Sequence, residues 1–330
     1  MPHVIFFTDI FKEAGFGHFV RSFSLAEEFI KRKCRVSFIS EETSEPIKKI
    51  LKKKKIIILN LKDLKSFQKN NKIIIIDSYT IENEVIDFIN KFFFSVIFDD
   101  FDKKLINSNV VIKNNLGQMD KNDNPINQIV GKKYCIIRKE VLKNKSYNFV
   151  KKEPKFCYIT FGGYNKEFEL LNFFNNLKNT KYFSNNSLKL YINIKLFHNK
   201  VKKIFKDSEN IEINFVDLKL GNNFKFNKID MSINGGGITS VEMVYLKIPQ
   251  IVMCLSSDQK SNVNFIKENK LGYIASKNIL RKDIKIDSDV NKFIQSYTML
   301  KKNLISRNYI DNLGTNRIVS RVIKVYKNEK

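Results

Sequence analysis

Short apolar runs alternate with longer amphipathic stretches along most of the 330-residue chain. The runs are rich in isoleucine, valine and phenylalanine, and several, such as residues 73–76, are apolar at every position. Alternation of this kind is typical of βαβ units that build a parallel sheet. Strands that are apolar throughout are expected where helices cover both faces of the sheet. The sequence therefore predicts an α/β fold.

The predicted strands fall into two series separated by a polar segment. The first series comprises Val4–Phe7, Arg35–Ile39, Ile56–Leu59, Ile73–Asp77, Phe94–Phe98, Val110–Ile112 and Tyr134–Ile137. The second comprises Phe156–Phe161, Leu188–Ile194, Ile211–Phe215, Ile229–Ile233, Gln250–Cys254 and Tyr273–Ala275. Residues 139–155 between them lack an apolar period and contain Pro154, which favours a linker. We predict Rossmann-like domains over residues 1–150 and 151–330, facing one another across a cleft, with the last helix able to pack back toward the first domain.

The composition favours a folded cytoplasmic protein. The apolar runs are far shorter than the roughly 20 residues of a transmembrane helix, and no basic stretch precedes the first run, whereas a signal peptide has one. The four cysteines are scattered without a C-x-x-C pair, which favours reduced thiols. The net charge of +25 is spread over the whole chain, so we predict no nucleic-acid partner. We expect a monomer.

Two glycines and a histidine follow the first predicted strand. The segment GFGH at residues 15–18 precedes a helical run, and glycines there let a ligand approach the backbone closely. Val20 stands where the dinucleotide fingerprint has its third glycine, so we reject an NAD site. A helix N-terminus disfavours imidazolium, so we predict that His18 has a pKa below about 6.5 and acts as a general base. The candidate substrate-binding residues beside it are Gly15, Gly17 and Arg21.

The second series carries two glycine clusters at strand ends. Each cluster can present backbone N–H groups at a helix start, where a diphosphate binds well. An acidic side chain early in the second helix can accept hydrogen bonds from a ribose diol, and the amides further along suit sugar hydroxyls or N-acyl groups. The candidate substrate-binding residues of this domain are Gly162, Gly163, Asn234, Gly236, Gly237, Ile238, Thr239, Ser240, Glu242, Gln259 and Asn262.

Polar residues also end two strands of the first series. Asp77 and Tyr79 follow one strand, and Asp99 and Asp100 follow the next. Because parallel strands end at one edge of the sheet, these side chains are candidates for binding substrate there. No His, Cys or Glu lies at ligand spacing from the paired aspartates, so we predict no metal site and no cofactor.

Eight segments carry a family resemblance. They are, in chain order, GFGHFVRSFSLAEEF, IIIIDSY, VIFDDF, YCIIRKEV, ITFGGYN, NGGGITSVEMVYLKIPQIVM, DQKSNVNFIKENKLG and NLGTNRIV. Together they span nearly the whole chain and resemble the UDP-2,4-diacetamido-2,4,6-trideoxy-β-L-altropyranose hydrolases of pseudaminic acid biosynthesis. These hydrolases are related to the N-acetylglucosaminyltransferase that makes lipid II, so the resemblance implies a GT-B fold.

The resemblance also implies a reaction and the residues that perform it. His18 would activate a water that attacks C1 of the UDP-linked sugar, releasing sugar and UDP with inversion. A metal is not expected to be needed, because UDP is a good leaving group whose charge backbone dipoles and basic side chains can stabilise. Gly17 would line the pyrophosphate, and Tyr79 would lie near the sugar. The Gly235–Ser240 loop, with Glu242, would hold the phosphate and ribose.

Two other functions stay open from the sequence. A UDP-sugar glycosyltransferase of the same architecture would use His18 to deprotonate an acceptor hydroxyl in place of water. From another class, the charge of +25 suits a protein that binds nucleic acid or an anionic surface. That second alternative requires clustered lysines with exposed aromatic residues between them, whereas the lysines here are distributed.

Overall fold

The structure, a computed structural model of the chain, divides into two compact units. It describes residues 1–9, 17–40, 43, 45–67, 71–101, 107–118, 125–144, 150–151, 153–164, 166–194, 197–216, 224–275, 280 and 286–329. The first unit comprises Met1–Arg138 and Asn312–Lys330, and the second comprises Lys139–Asp311. The C-terminal segment therefore belongs to the same unit as the N-terminus.

Each unit is built on one sheet. The strands of the first unit are β1 (His3–Thr8), β2 (Arg35–Ile39), β3 (Ile57–Leu59), β4 (Lys72–Asp77), β5 (Phe94–Phe98), β6 (Val110–Lys113) and β7 (Gln128–Val130). Those of the second are β8 (Phe156–Thr160), β9 (Leu188–Asn193), β10 (Ile211–Phe215), β11 (Met231–Gly235), β12 (Gln250–Met253) and β13 (Tyr273–Ile274). The strand orders are β3-β2-β1-β4-β5-β6-β7 and β10-β9-β8-β11-β12-β13. Every described pairing of neighbours is parallel.

Helices connect most of these strands. They are α1 (Gly17–Lys31), α2 (Glu45–Lys53), α3 (Asp63–Ser66), α4 (Asn83–Phe92), α5 (Lys139–Leu142), α6 (Glu167–Lys178), α7 (Lys181–Asn185), α8 (His198–Ile204), α9 (Ile238–Tyr245), α10 (Lys260–Glu268), α11 (Asp287–Ser306) and α12 (Gly314–Asn328). The alternation of strands and helices confirms the predicted α/β class with parallel sheets.

The central position of β4 in the first sheet explains why residues 73–76 are all apolar. β4 lies between β1 and β5, and residues 73–76 are completely buried. A strand in this position has neighbours on both edges and packing on both faces, so no position favours a polar side chain. Asp77, the last residue of β4, is the first polar side chain of this strand to reach the carboxyl edge of the sheet.

One predicted strand of the first series is wrong. Tyr134 is the last residue of a 3-10 helix and residues 135–137 form no strand, and the seventh strand is β7 instead. These residues are nevertheless buried, and Gly314 at the start of α12 packs directly on the backbone of Cys135. A Cβ on Gly314 would lie 2.0 Å from the Cys135 carbonyl oxygen, so only glycine fits there. Contact with a helix, and not a place in the sheet, accounts for the apolar sequence.

Candidate functional site

Three adjacent strands of the first unit end in a cluster of polar side chains. β1, β4 and β5 are neighbours in the sheet, and Asp9, Asp77 and Asp100 lie at or just beyond their carboxyl ends. This edge is where parallel α/β sheets bind ligands. The first turns of α1 bring both His18 and Arg21 into hydrogen-bonding contact with Asp77. Arg21 also contacts Asp100.

His18 forms a short hydrogen bond with Asp77. The distance from His18 Nδ1 to Asp77 Oδ1 is 2.6 Å, and both side chains are buried. Burial alone would raise the pKa of Asp77, but Arg21 and His18 hold it well below its usual range. The ionised carboxylate only accepts hydrogen bonds, so Nδ1 of His18 must donate. In neutral His18 the Nε2 atom is then left as a proton acceptor, and no described residue is hydrogen-bonded to it.

The predicted direction of the His18 pKa shift is wrong. Burial lowers this pKa, but the Asp77 carboxylate and its hydrogen bond outweigh burial, so the pKa lies above 6.5. The N-terminus of α1 disfavours the imidazolium, but it is not the only group that acts on His18. A carboxylate that contacts the ring at 2.6 Å acts more strongly on the imidazolium than the partial charge of a helix end.

Arg21 joins two carboxylates. Its Nε and Nη2 atoms donate to Asp77 over 3.0 and 2.5 Å, and its Nη1 and Nη2 atoms donate to Asp100 over 3.0 and 2.9 Å. The guanidinium also lies over the ring of Phe98, 4.2 Å from the centroid. Four of its five N–H groups are therefore used within the protein. Arg21 is 7% exposed, so its observed role is to hold the two aspartates.

Each carboxylate oxygen of Asp77 accepts two hydrogen bonds from the protein. Oδ1 accepts from His18 and Arg21, and Oδ2 accepts from Arg21 and from the Ser22 hydroxyl at 3.0 Å. The side chain is 1% exposed. In the described structure Asp77 therefore orients His18, and its predicted contact with substrate stays a prediction.

Tyr79 lies against the histidine and is held by a buried aspartate. The Tyr79 ring packs edge to face on His18 with centroids 4.2 Å apart, and its hydroxyl donates to Asp100 over 2.7 Å. Asp9 accepts hydrogen bonds from the Tyr79 backbone N–H and from the Ser78 hydroxyl. Tyr79 is 45% exposed, so a ligand can reach it.

The other predicted residues of the first unit have different surroundings. Asp99 is buried and forms an ion pair with Lys113 at 3.0 Å, so its charge is offset within the protein. Gly17 begins α1, and a Cβ built there meets no atom within 4 Å, so packing does not require a glycine at this position. Gly15 lies outside the described residues.

A buried polar network lies beneath the second glycine cluster in the second unit. Asn234 donates to Gln250 Oε1 over 3.1 Å and accepts from the Ser232 hydroxyl over 2.8 Å. Gln250 in turn donates to the carbonyl oxygen of Ser240 over 3.1 Å. All four residues are completely buried. Asn234 and Ser240 therefore support the loop from below.

Gln259 and Asn262 hold the glycine loop from the side. Gln259 Oε1 accepts from the backbone N–H of Gly236 over 2.9 Å, and the Asn262 amide donates to the Gly236 carbonyl over 3.1 Å. A Cβ on Gly236 would lie 2.4 Å from a methyl group of Val263, so close packing of the loop requires this glycine. Gly237 has no such restriction, because its nearest neighbour would be 3.8 Å away.

Three backbone N–H groups at the N-terminus of α9 have no hydrogen-bond acceptor in the part of the chain that the structure describes. No described residue accepts a hydrogen bond from the N–H of Gly237, Ile238 or Thr239, and all three residues are partly exposed. The hydroxyl of Ser240 caps the loop internally by donating to the Gly237 carbonyl over 2.7 Å. Backbone N–H groups at a positive helix end are suited to binding an anion.

Three predicted residues of the second unit remain without a defined contact to a site. Glu242 in α9 is completely buried, so its contact with a ribose stays a prediction. Gly162 and Gly163 form an exposed turn after β8. Gly162 has a φ of 62°, a left-handed conformation that favours glycine, so the turn itself explains this residue.

Within the described residues, no group of three or more His, Cys, Asp or Glu side chains is arranged to hold a metal ion. None of the described helices is both long and apolar enough to cross a membrane.

Solved glycosyltransferase structures share the fold of this chain. MurG of Acinetobacter baumannii matches with a TM-score of 0.66 and 12% identity, covering 98% of this chain and 100% of that one. The calicheamicin glycosyltransferase CalG4 matches with a TM-score of 0.63 and 10% identity, covering 99% of each. Medicago truncatula UGT71G1, solved with UDP-glucose, matches with a TM-score of 0.59 and 10% identity over 97% of this chain and 98% of that one.

These similarities establish the class of fold. With two parallel-sheet α/β units and matches over nearly the full length of each structure, the chain has the predicted GT-B fold. No protein-family model and no curated protein matches its sequence.

Several residues that shape these sites were not predicted from the sequence. Asp9, Ser22, Lys113 and Gln250 each hold a predicted site residue or its loop. Asp9 follows β1, so the position of strand ends is a signal that would have found it. Gln250 begins a strand and Ser22 lies inside a helix, and neither position marks its residue as polar support for a site.

Proposed function

We propose that this protein binds a UDP-sugar and catalyses displacement of UDP from C1 with inversion. His18 removes the proton from the hydroxyl group that attacks C1, and Asp77 keeps its imidazole in the required orientation. The observation that carries this proposal is the 2.6 Å contact between His18 Nδ1 and Asp77 Oδ1, which leaves Nε2 as the proton acceptor.

The surroundings of His18 suit a general base. A base must be neutral before the reaction and must hold a proton afterwards. The raised pKa of His18 strengthens its hold on the proton, while the Asp77 carboxylate stabilises the imidazolium that forms. At pH values above this pKa the ring is neutral and ready to accept.

The diphosphate is assigned to the N-terminus of α9. The N–H groups of Gly237, Ile238 and Thr239 can donate to phosphate oxygens, and the helix dipole favours negative charge there. Departure of UDP needs stabilisation of negative charge more than protonation, and preorganised N–H donors provide it.

Two reactions fit this machinery and differ only in the attacking hydroxyl. The similar solved structures are glycosyltransferases, which supports transfer to a hydroxyl of an acceptor molecule. The motif resemblance supports attack by water on UDP-2,4-diacetamido-2,4,6-trideoxy-β-L-altropyranose. Glycosyl transfer is the reaction that the comparisons support better.

One incubation separates transfer from hydrolysis. The protein alone is mixed with the UDP-sugar in ¹⁸O-labelled water and followed by time-resolved NMR and mass spectrometry. A hydrolase releases free sugar of inverted configuration that carries ¹⁸O at C1, at a rate that adding acceptors does not raise. A transferase releases UDP slowly until an acceptor is supplied. If UDP-sugars neither bind nor react, the proposal is refuted.

The nucleotide is tested by binding. UDP, CDP, GDP and dTDP are compared for thermal stabilisation, since a ligand at 100 times its dissociation constant adds about 2.7 kcal/mol. UDP is expected to stabilise the protein most. Equal stabilisation by all four would show that the base is not recognised and would contradict a UDP-specific site.

A further inference from the structure

Asp100 is surrounded by hydrogen-bond donors of the protein. Oδ1 accepts from Arg21 Nη1 over 3.0 Å and from Asn115 Nδ2 over 3.3 Å. Oδ2 accepts from Arg21 Nη2 over 2.9 Å and from the Tyr79 hydroxyl over 2.7 Å. The side chain is only 4% exposed. These contacts leave little of the carboxylate for a substrate. They connect Asp100 to Tyr79, which packs on His18, and to Arg21.

A single nitrogen of Arg21 links Asp100 to the histidine partner. Nη2 donates to Asp77 Oδ1 and to Asp100 Oδ2, and Asp77 Oδ1 is the atom that accepts from His18. The Phe98 ring covers one side of the guanidinium. Arg21 therefore lies between two carboxylates, and its charge is shared between them.

We propose that Asp100 is a positioning residue for His18, holding Arg21 against Asp77 and balancing the charge of the guanidinium so that Asp77 can act on the imidazole. The proposal rests on the proposed role of His18 as the base, and it assigns Asp100 an action through Arg21 in place of contact with the sugar.

The summed charge of Arg21, Asp77 and Asp100 shows how the Asp100 carboxylate acts on His18. Arg21 and the two carboxylates that it contacts sum to one negative charge while His18 is neutral, and a proton on His18 cancels that charge. Without Asp100, the guanidinium alone would balance Asp77, and protonation of His18 would create a net positive charge among buried groups. Asp100 therefore favours the imidazolium that forms during the reaction.

Burial and the neighbouring charges act on the pKa of His18 in opposite directions. Burial lowers the pKa of His18, Asp77 raises it, Arg21 lowers it, and Asp100 raises it. The pKa of Asp100 is itself lowered, because Arg21 and Tyr79 outweigh the effect of burial, so its carboxylate remains charged.

Tyr79 provides a second connection between Asp100 and His18, and a substitution can separate it from the connection through Arg21. Its hydroxyl contacts Asp100, and its ring packs on His18. Replacing Tyr79 with phenylalanine removes the hydroxyl and keeps the ring. If Asp100 acts through Arg21, this change leaves the His18 pKa much closer to the wild-type value than loss of the Asp100 charge does.

Direct NMR titration of His18 tests the proposal. The chain has three histidines, and the His18 ring signal is the one missing in His18→Asn. His3 titrates separately, because burial and nearby Arg35 and Lys72 lower its pKa to about 4. Asp100→Asn is expected to lower the pKa of His18 by about 0.5–1 unit. Asp100→Glu, which keeps the charge, is expected to restore most of this shift.

Asp99→Asn is the matched control. It makes the same chemical change on the neighbouring residue, whose carboxylate contacts Lys113 and not Arg21. A His18 pKa within about 0.2 unit of wild type is expected in this control. An unchanged pKa in Asp100→Asn, or equal shifts in both variants, would overturn the proposal. If Asp100→Asn does not fold, Asp100→Ser supplies the neutral side chain for the same titration.

The rate profile separates this proposal from the proposed function. In Asp100→Asn the acid limb of kcat should move to lower pH by the same amount as the NMR pKa. If the NMR pKa moves but the wild-type rate shows no acid limb that disappears in His18→Asn, the charge linkage stands and the role of His18 as base fails.

Discussion

Asp77→Asn tests how far the candidate base depends on one buried carboxylate. Asparagine has nearly the same size, but it is neutral, and its amide group donates where the aspartate accepted. Arg21 donates to both oxygens of Asp77, so in either orientation the asparagine NH2 group faces an Arg21 donor. At least one of the four hydrogen bonds of Asp77 is therefore lost. His18 also loses the negative charge that stabilises its imidazolium.

The structure sets the size of the expected loss of stability. Removing one partner of a buried ion pair costs about 3–5 kcal/mol, because the other charge is left without compensation. Arg21 still pairs with Asp100 over 2.9 and 3.0 Å, so we expect the lower end, about 3 kcal/mol. Chemical denaturation of wild type and variant at the same pH measures this difference.

The difference in the free energy of unfolding between wild type and Asp77→Asn should depend on pH. The folded-state pKa of His18 is raised above 6.5, so the stability it contributes is fully present below about pH 6.5 and is lost as pH rises through the folded value. Asp77→Asn removes the cause of this shift. The wild type should therefore exceed the variant in stability by more at pH 6 than at pH 9.

Turnover provides the second readout. We expect kcat to fall by about 10²–10³ in Asp77→Asn, since proton transfer to an oriented base contributes about 10²–10⁴. UDP affinity should stay near the wild-type value. The acid limb of kcat should move to lower pH, because burial then dominates the pKa of His18. A folded variant with wild-type kcat and an unmoved acid limb would refute the assigned role of Asp77.

The glycine loop and the diphosphate site give three further predictions. Gly236→Ala should lower the free energy of unfolding by about 2 kcal/mol, because its Cβ would lie 2.4 Å from Val263. Gly237→Ala should change this free energy by less than about 0.5 kcal/mol, because its Cβ would meet no such contact. Equal losses for the two variants in urea denaturation would count against this packing. Glu242→Gln, which keeps the size of a completely buried side chain, should weaken UDP binding about tenfold by calorimetry, and unchanged affinity would remove Glu242 from the ribose site. EDTA should leave turnover unchanged, because Asp99 and Asp100 are already paired with cationic side chains and backbone N–H groups are proposed to hold the diphosphate. Loss of activity that Mg²⁺ restores would contradict this expectation.

The fold was predictable because burial on both faces of a sheet leaves a strong signal. Residues 73–76 are all isoleucine and all completely buried. The same signal misled at residues 134–137, where packing against α12 produces an apolar run without a strand. It was too weak for β7, which has only three residues and lies at the edge of the sheet.

The candidate site was predictable in part, because glycines and polar residues mark strand ends. His18, Asp77 and Asp100 were found in this way, and the structure brings them together through Arg21. Their electrostatic state was not predictable from local sequence. His18 and Asp77 are 59 positions apart in the chain, and only the pairing of β1 with β4 places them in contact.

Whether His18 is the general base is decided by the kcat of His18→Asn measured against pH. The asparagine amide can still donate to Asp77, so the fold is retained while the proton acceptor is removed. We expect kcat to fall by about 10²–10⁴ with UDP affinity nearly unchanged, and the acid limb of the wild-type profile to disappear. A folded His18→Asn protein with near-normal turnover would contradict the account and place the base elsewhere.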